Sequence, residues 1–263
     1  MGRGSSKAGG GGGGGAASNV LPPVTTQVIP PTPQQVAEGN VLPQGGVAFS
    51  DFEQMTDDEK AAVVDQALGV GVPLFLDDSG LQRFAYFTGM SDKPNVVADS
   101  ALDKMTGVDL YRTMNNAYNR KTDIGYTSKD IAKQISEGDF TMYSDSGGSA
   151  HGKAIYFASD YSDSSYYGSS NASPVTMRAK ITSGKTIKEG TLSTQYSNAL
   201  SRGDKLAVAC SKAGSSSARN LYGLAKGYDV ITPDYGSYYM VLNRRALTVS
   251  STVKSTKIGG RGW

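Results

Sequence analysis

The chain has 263 residues and a formal net charge of +2. That length holds one core of ordinary size plus a tail, and that charge by itself calls for neither nucleic acid nor an anionic membrane. Cys210 is the only cysteine, so no intrachain disulfide can form and the fold must rest on packing, which suits a reducing compartment.

In chain order, Gly9 to Gly15 are all glycine, and Leu21 to Gln44 is rich in Pro, Gln, Val and Thr. Such composition cannot bury enough apolar surface to offset chain entropy. Residues 1–46 are therefore expected to be a disordered Gly/Pro-rich tether, and a tether implies a larger assembly at its far end. Met1-Gly2-Arg3-Gly4-Ser5-Ser6 fits the myristoylation template, although glycine- and serine-rich composition alone produces the same match. The opening residues lack the apolar stretch of a secretory signal, and no apolar run reaches the roughly 18 residues that span a bilayer. The expectation is a soluble protein with no membrane span, cytoplasmic or delivered into a host cytoplasm.

Order is expected to begin near Phe49, with a helical lead-in over 47–107. Thr56 precedes an acid, Glu59, at the spacing of a capping box, and Ala61, Val63, Val64 and Ala67 follow on a helical period that stops at Gly69. A second helix is expected from Ser79 to Gly89, carrying Leu81, Phe84, Ala85 and Phe87, and a short third one from Ser100 to Met105.

After Gly107 the texture changes. Strands are expected at Val108 to Arg112, Phe140 to Tyr143, Ala154 to Ala158, Val175 to Ile181, Tyr228 to Ile231, Tyr239 to Leu242 and Leu247 to Val249. Helices are expected at Tyr126 to Ile135, Ser193 to Leu200 and Ser216 to Ala225, with a glycine/serine loop over Asp145 to Gly152. Short strands without regular strand–helix alternation argue an α+β domain over 108–250. Beyond it, 251–263 carries Lys254, Lys257 and Arg261 with no acid, a basic C-terminal tail.

Three segments can carry chemistry. Leu110-Tyr111-Arg112-Thr113 sets an arginine in an apolar strand, where a charge is costly unless it is paired or faces a cleft. A functional arginine there binds phosphate, carboxylate or ribose; a structural one pairs within the fold. In Gly152-Lys153-Ala154-Ile155-Tyr156-Phe157-Ala158 the strand ends, and Ser159 or Asp160 can cap a helix that sets Ser164 and Tyr167 on one face. A hydroxyl and a ring on that face, with Tyr156 on the strand, can hold a planar ligand; ordinary packing of the same rings is the alternative. The third segment is Gly227 to Ile231 followed by Tyr238 to Asn243.

The second segment resembles, position by position, the nicotinamide-binding segment of the poly(ADP-ribose) polymerases, members of the ADP-ribosyltransferase superfamily. The likeness makes Tyr156 the strand tyrosine under the nicotinamide, Ser164 the hydroxyl to its carboxamide and Tyr167 the opposing ring. Leu110 to Thr113 is similar to the opening motif of the superfamily in its arginine form, that of toxins and mono-ADP-ribosyltransferases, so the combination is a hybrid. The third segment is similar to the closing strands, but Tyr238 stands where the polymerases have a glutamate.

The resemblance covers Asp109 to Leu247. It implies an ADP-ribosyltransferase-like split β-sheet core and NAD as the substrate, held by Arg112, Thr113, Gly152, Tyr156, Ser164 and Tyr167. The reaction would engage Arg112, Tyr156, Tyr238 and, as a substitute acid, Asp234; Asp229 is nearby but falls in the strand run.

The missing carboxylate matters physically. Cleavage of the nicotinamide–ribose bond develops oxocarbenium character that a carboxylate stabilises, and one such preorganised partner is worth on the order of 10²–10³ in rate. The expected function is therefore NAD-dependent mono-ADP-ribosyl transfer to a protein or nucleic-acid acceptor. The alternative is a catalytically degenerate binding or virion/assembly-associated protein, since related domains occur as toxins and phage-carried proteins. His151 is the only histidine, in a glycine-rich loop without a nucleophile elbow, and a zinc site is not expected with one Cys and one His. Limited proteolysis of the full chain should leave a resistant core beginning between Val47 and Thr56; protection of the glycine run would contradict the tether.

Overall fold

In the computed structural model the described residues are 46–71, 74–76, 82–83, 93–119, 124–137, 151–168 and 170–257. All but Gly46 of the expected tether lies outside them. So do the expected strand at Phe140 to Tyr143, most of the loop from Asp145 and the end of the chain after Lys257.

The domain is α+β. Among the described residues its principal sheet has eight strands: β4 (Asn95–Val97), β5 (Asp109–Met114), β8 (Ile155–Ala158), β9 (Val175–Ile181), β10 (Thr186–Lys188), β11 (Val230–Thr232), β12 (Tyr238–Val241) and β13 (Leu247–Ser255). Their order across the sheet is β10-β11-β12-β8-β5-β9-β13-β4, antiparallel except for the pairs β10/β11 and β13/β4 at its two edges. Strands β1 (Val47–Ala48), β2 (Phe75–Leu76) and β3 (Gln82–Arg83) form a small separate sheet, and β6 (Ala117–Asn119) with β7 (Ile124–Tyr126) a hairpin.

Side chains alternate between the faces of the principal sheet, and each face carries its own core. Ile231 and Met240 point with Ile187 toward helices α1 (Phe49–Gln54), α2 (Asp57–Val70), α6 (Glu189–Ser201), α7 (Lys205–Ser211) and α8 (Ser215–Ala225). Their neighbours Val230 and Val241 point the other way, with Leu110, Phe157 and Met177, against Ile131 and Ile135 of α4 (Ser128–Glu137). The remaining helices are the short α3 (Asp99–Leu102) and α5 (Tyr161–Ser165).

The strands are not joined evenly. Strand β5 pairs with β9 along its whole length, from Asp109↔Lys180 to Met114↔Val175, but meets β8 only at Tyr111↔Ala158. The join between β5 and β8 is thus a single residue pair.

The Thr56 capping box forms as expected, with Glu59 N–H donating to Thr56 Oγ1 at 3.3 Å and Thr56 N–H to Glu59 Oε2 at 2.7 Å. The helix passes through Gly69 and ends two residues later at Gly71, whose φ of 70° lies in the left-handed region that glycine adopts without strain. Three expectations need correction. Gln82 and Arg83, expected inside a helix, form β3 and pair antiparallel with β2; a short apolar stretch of this kind does not distinguish the two periods. The rest of that stretch lies outside the described residues. Helix α7 was not expected, although Asp204 caps it by accepting from Ala207 N–H at 3.0 Å. Finally, β13 runs past Val249 to Ser255, carrying the first residues of the expected tail into the sheet.

The expected lead-in is part of the domain rather than a prelude to it. Strand β4 extends the principal sheet, α2 packs on α7, and the buried Lys60 donates from Nζ to Ala225 O, closing the C-terminal turn of α8, at 2.9 Å. Burial holds the Lys60 pKa below the usual lysine range, with Lys226 and Lys185 adding to the shift against Asp57 and Glu53. On the opposite face Arg244, fully buried, donates from Nη1 to Gln134 O at 2.8 Å and Ile135 O at 2.9 Å, satisfying carbonyls at the end of α4. Its neighbour Arg245 clamps both oxygens of Glu53 on α1 and donates from Nε to Asp229 Oδ1 at 2.8 Å.

Asp229 is buried and also accepts Lys185 N–H at 2.8 Å, so losing Arg245 would strand a carboxylate with little solvent. Arg245→Met should therefore destabilise the domain by about 3 kcal/mol in denaturant unfolding. Lys205→Met, which removes an exposed pair with Asp58, should change stability by less than about 1 kcal/mol. Equal effects of the two substitutions would contradict this distribution of stability.

Candidate functional site

A cavity of about 350 Å³ opens where β5 and β8 part, lined by Tyr111, Arg112, Thr113, His151, Tyr156, Phe157, Ala158, Ser164, Tyr167 and Tyr238. Strand β5 supplies the first three, β8 and the residues before it the next group, α5 and its following turn Ser164 and Tyr167, and β12 Tyr238.

Arg112 occupies the seam itself. Its Nη1 donates to Tyr156 O at 2.6 Å, supplying a donor to β8 where the β5/β8 ladder has ended. Its guanidinium bridges the seam, and the residue also lines the cavity.

Next to it Thr113 fixes the α5 side. Asp160 caps α5 by accepting Ser162 N–H at 2.7 Å, which turns the chain so that the buried Ser164 hydroxyl meets Thr113 Oγ1 at 3.1 Å. The hydroxyls continue from Thr113 to Thr176 at 2.9 Å and from Thr176 to Thr256 at 2.8 Å. Linked hydroxyls of this kind polarise one another and hold the first member in place. Tyr167 lies in the turn after α5 rather than on the helix, its carbonyl accepting Asn115 Nδ2–H at 2.7 Å. Its ring meets Tyr238 edge to face, with centroids 5.8 Å apart.

Tyr111, Tyr156 and Tyr238 are neutral near pH 7. Burial pushes Tyr156 up to about 12, and its hydroxyl donates to Gly152 O. Burial, then hydrogen bonding with Tyr167, pushes Tyr238 well above the usual tyrosine range. Among the described residues that line the cavity none is a carboxylate.

Charge of the opposite sign stands at the mouth. His151 Nδ1 lies 3.0 Å from Glu189 Oε1 at the start of α6, and Arg219 of α8 donates from Nη1 to the same oxygen at 2.8 Å. Arg219 Nη2 also donates to His151 O at 2.7 Å, while Asn220 Nδ2 donates to His151 O at 3.0 Å and Lys153 O at 3.2 Å. These contacts tie the segment entering β8 to α8. Burial raises the Glu189 pKa, but hydrogen bonds from His151 and Arg219 outweigh it, and the carboxyl titrates below its usual range. Its contribution to stability is therefore complete above the ordinary carboxylate range and is lost as pH falls through the lowered value.

Of the residues singled out in the sequence, Arg112, Thr113, Tyr156, Ser164, Tyr167 and Tyr238 meet in this cavity, and Gly152 stands behind it as the acceptor for Tyr156. Asp234 does not join them, which corrects its assignment as a substitute acid. It accepts Gly190 N–H at 2.5 Å at the start of α6 and lines a different cavity with Lys188, Thr191, Thr194, Gln195 and Tyr235. Asp229 is committed to Arg245 and the Lys185 backbone. Sequence reasoning missed the Glu189–Arg219 pair, since nothing local connects residues on α6 and α8 to the loop that holds His151. It also set His151 aside, although a lone histidine just before the apolar strand that carries Tyr156 was the available signal.

Among the described residues no cluster could hold a metal ion, and no helix is long and apolar enough to cross a membrane. Comparison of the chain with family models, curated proteins and solved structures gives no match.

Proposed function

We propose that the cavity binds NAD as a substrate and that the domain is a mono-ADP-ribosyltransferase passing ADP-ribose to a protein or nucleic-acid acceptor. The observation that carries this reading is the convergence of Arg112, Thr113, Tyr156, Ser164, Tyr167 and Tyr238, singled out in three separated segments, on one cavity. The reduction of the β5/β8 join to a single pair also supports it, since the resemblance to the ADP-ribosyltransferases implies a split core. In this reading Ser164, its hydroxyl fixed by Thr113, faces the carboxamide of nicotinamide. Tyr156 and Tyr167 present rings to the nicotinamide, and the Arg112 guanidinium supplies positive charge for a ribose or phosphate oxygen.

One observation favours a second reading, NAD binding without turnover by a degenerate transferase fold tethered to a larger assembly. Tyr238 fills the place of the expected carboxylate and carries no charge near pH 7. A neutral phenol can donate a hydrogen bond to a ribose hydroxyl but offers the oxocarbenium no counter-charge.

Tyr238→Glu separates the two. If the remaining groups are arranged for transfer, restoring the carboxylate should raise NAD glycohydrolase activity by on the order of 10²-fold over wild type. NAD binding by both proteins with no turnover by either would leave the binding reading. Tyr238→Glu with less turnover than an active wild type would contradict the place assigned to this residue.

A further inference from the structure

Resting on the transferase reading, we propose that His151, oriented by Glu189, accepts the proton of the attacking group, and that the acceptor is a hydroxyl, either water or an alcohol. His151 lines the same cavity as Tyr156 and Ser164, yet its side chain is 56% exposed, so it stands at the opening where an acceptor must arrive. Only one of its ring nitrogens is committed: Nδ1 meets Glu189 Oε1, and Nε2 has no hydrogen-bond partner among the described residues.

A carboxylate accepts and does not donate, so it selects the tautomer with the proton on Nδ1 and leaves the Nε2 lone pair bare. A histidine on the cavity wall with one nitrogen held by an acid and the other uncommitted has the parts of a general base. The support is built rather than incidental. Arg219, 12% exposed at its side chain, holds Glu189 from one side and the His151 carbonyl from the other, and Asn220 adds a second bond to that carbonyl. The backbone and the ring of His151 are fixed by the same cluster.

The chemistry balances without an oxidant or a metal. The bond between the ribose carbon and the nicotinamide nitrogen breaks, and both electrons leave with nicotinamide, which becomes neutral. The acceptor oxygen bonds to that carbon, and its proton passes to His151 Nε2 and then to solvent. A carboxylate acceptor carries no proton to remove, so a base at this position implies an acceptor that loses one, as water and alcohols do. General bases of this kind contribute typically 10²–10⁴-fold.

The charged and titratable groups around His151 are Glu189 on α6, Arg219 on α8, Tyr156 on β8 and, across the cavity, Arg112 on β5. Glu189 titrates below its usual range and Tyr156 near 12, so the partner of Nδ1 is a carboxylate and the neighbouring phenol is neutral near pH 7.

The test uses the full chain and NAD, with and without methanol as an added alcohol, and compares wild type with His151→Gln and Glu189→Gln. As the sole histidine, His151 also reports directly through its imidazole nitrogen resonances. The neutral ring should carry its proton on Nδ1, and the Nε2 signal should move when NAD is added. His151→Gln should keep NAD affinity within about twofold and lower turnover at least about tenfold. Glu189→Gln should lower turnover less and weaken the Nδ1 preference. Methyl-ADP-ribose beside ADP-ribose extends the acceptor to alcohols; ADP-ribose alone confines it to water, and either result supports the base. The Nε2 tautomer, unchanged turnover in His151→Gln, or NAD binding by wild type without consumption would overturn this proposal and leave NAD binding intact. Absence of NAD binding by wild type would overturn the parent reading with it.

Discussion

The hydrogen bond from Arg112 to the Tyr156 carbonyl, 2.6 Å long, reinforces the seam of the principal sheet where the β5/β8 ladder is reduced to a single pair. An interrupted antiparallel pair leaves backbone donors and acceptors that must find other partners. Here a guanidinium with several donors bridges the gap while leaving open the space beside it. Both walls of the cavity depend on that geometry: β5 presents Thr113 to Ser164, and β8 presents Tyr156 and, opposite Tyr238 of β12, Ala158. A fully paired β5/β8 ladder would have no cavity between its strands.

Two further arginines and a lysine brace the elements around this seam. Arg244 satisfies the end of α4 on one face of the sheet, and Lys60 the end of α8 on the other. Arg245 ties α1 to the turn before β13 through Glu53 and Asp229. Each replaces water at a buried or half-buried polar group, so their loss is costly in proportion to the group left unsatisfied rather than to the bond removed. The exposed pairs of Lys205 with Asp58 and Lys212 with Asp65 have water as an alternative partner and contribute little.

How much of this was legible follows the range of the interactions. Strand β9 was expected at its observed bounds because Val175 to Ile181 alternates apolar with polar residues over seven positions, and the Thr56 box is a local signal that needs no tertiary partner. Six of the ten residues that line the cavity were singled out through their resemblance to a known motif, and the chain's own texture placed Arg112 and Tyr156 on strands and Ser164 and Tyr167 on a capped helix, which ends before Tyr167. Asp234 shows the limit: an acid near a site in sequence was read as available, yet the start of α6, more than forty residues away, takes its carboxylate. The short strands β4 and β10 were not expected because three residues carry too little periodicity to register, and their pairing with β13 and β11 is entirely long-range. The Glu189–Arg219–His151 cluster was hidden for the same reason.

The reaction and the acceptor both depend on one prior claim, that the seam between β5 and β8 is a nicotinamide site. Calorimetric titration of NAD into the wild-type chain and into Tyr156→Ala and Tyr167→Ala tests it most directly. Saturable one-to-one binding by wild type, weakened by roughly 0.5–1.5 kcal/mol for each lost ring, is the predicted result. No binding by wild type, or binding that neither substitution alters, would contradict it.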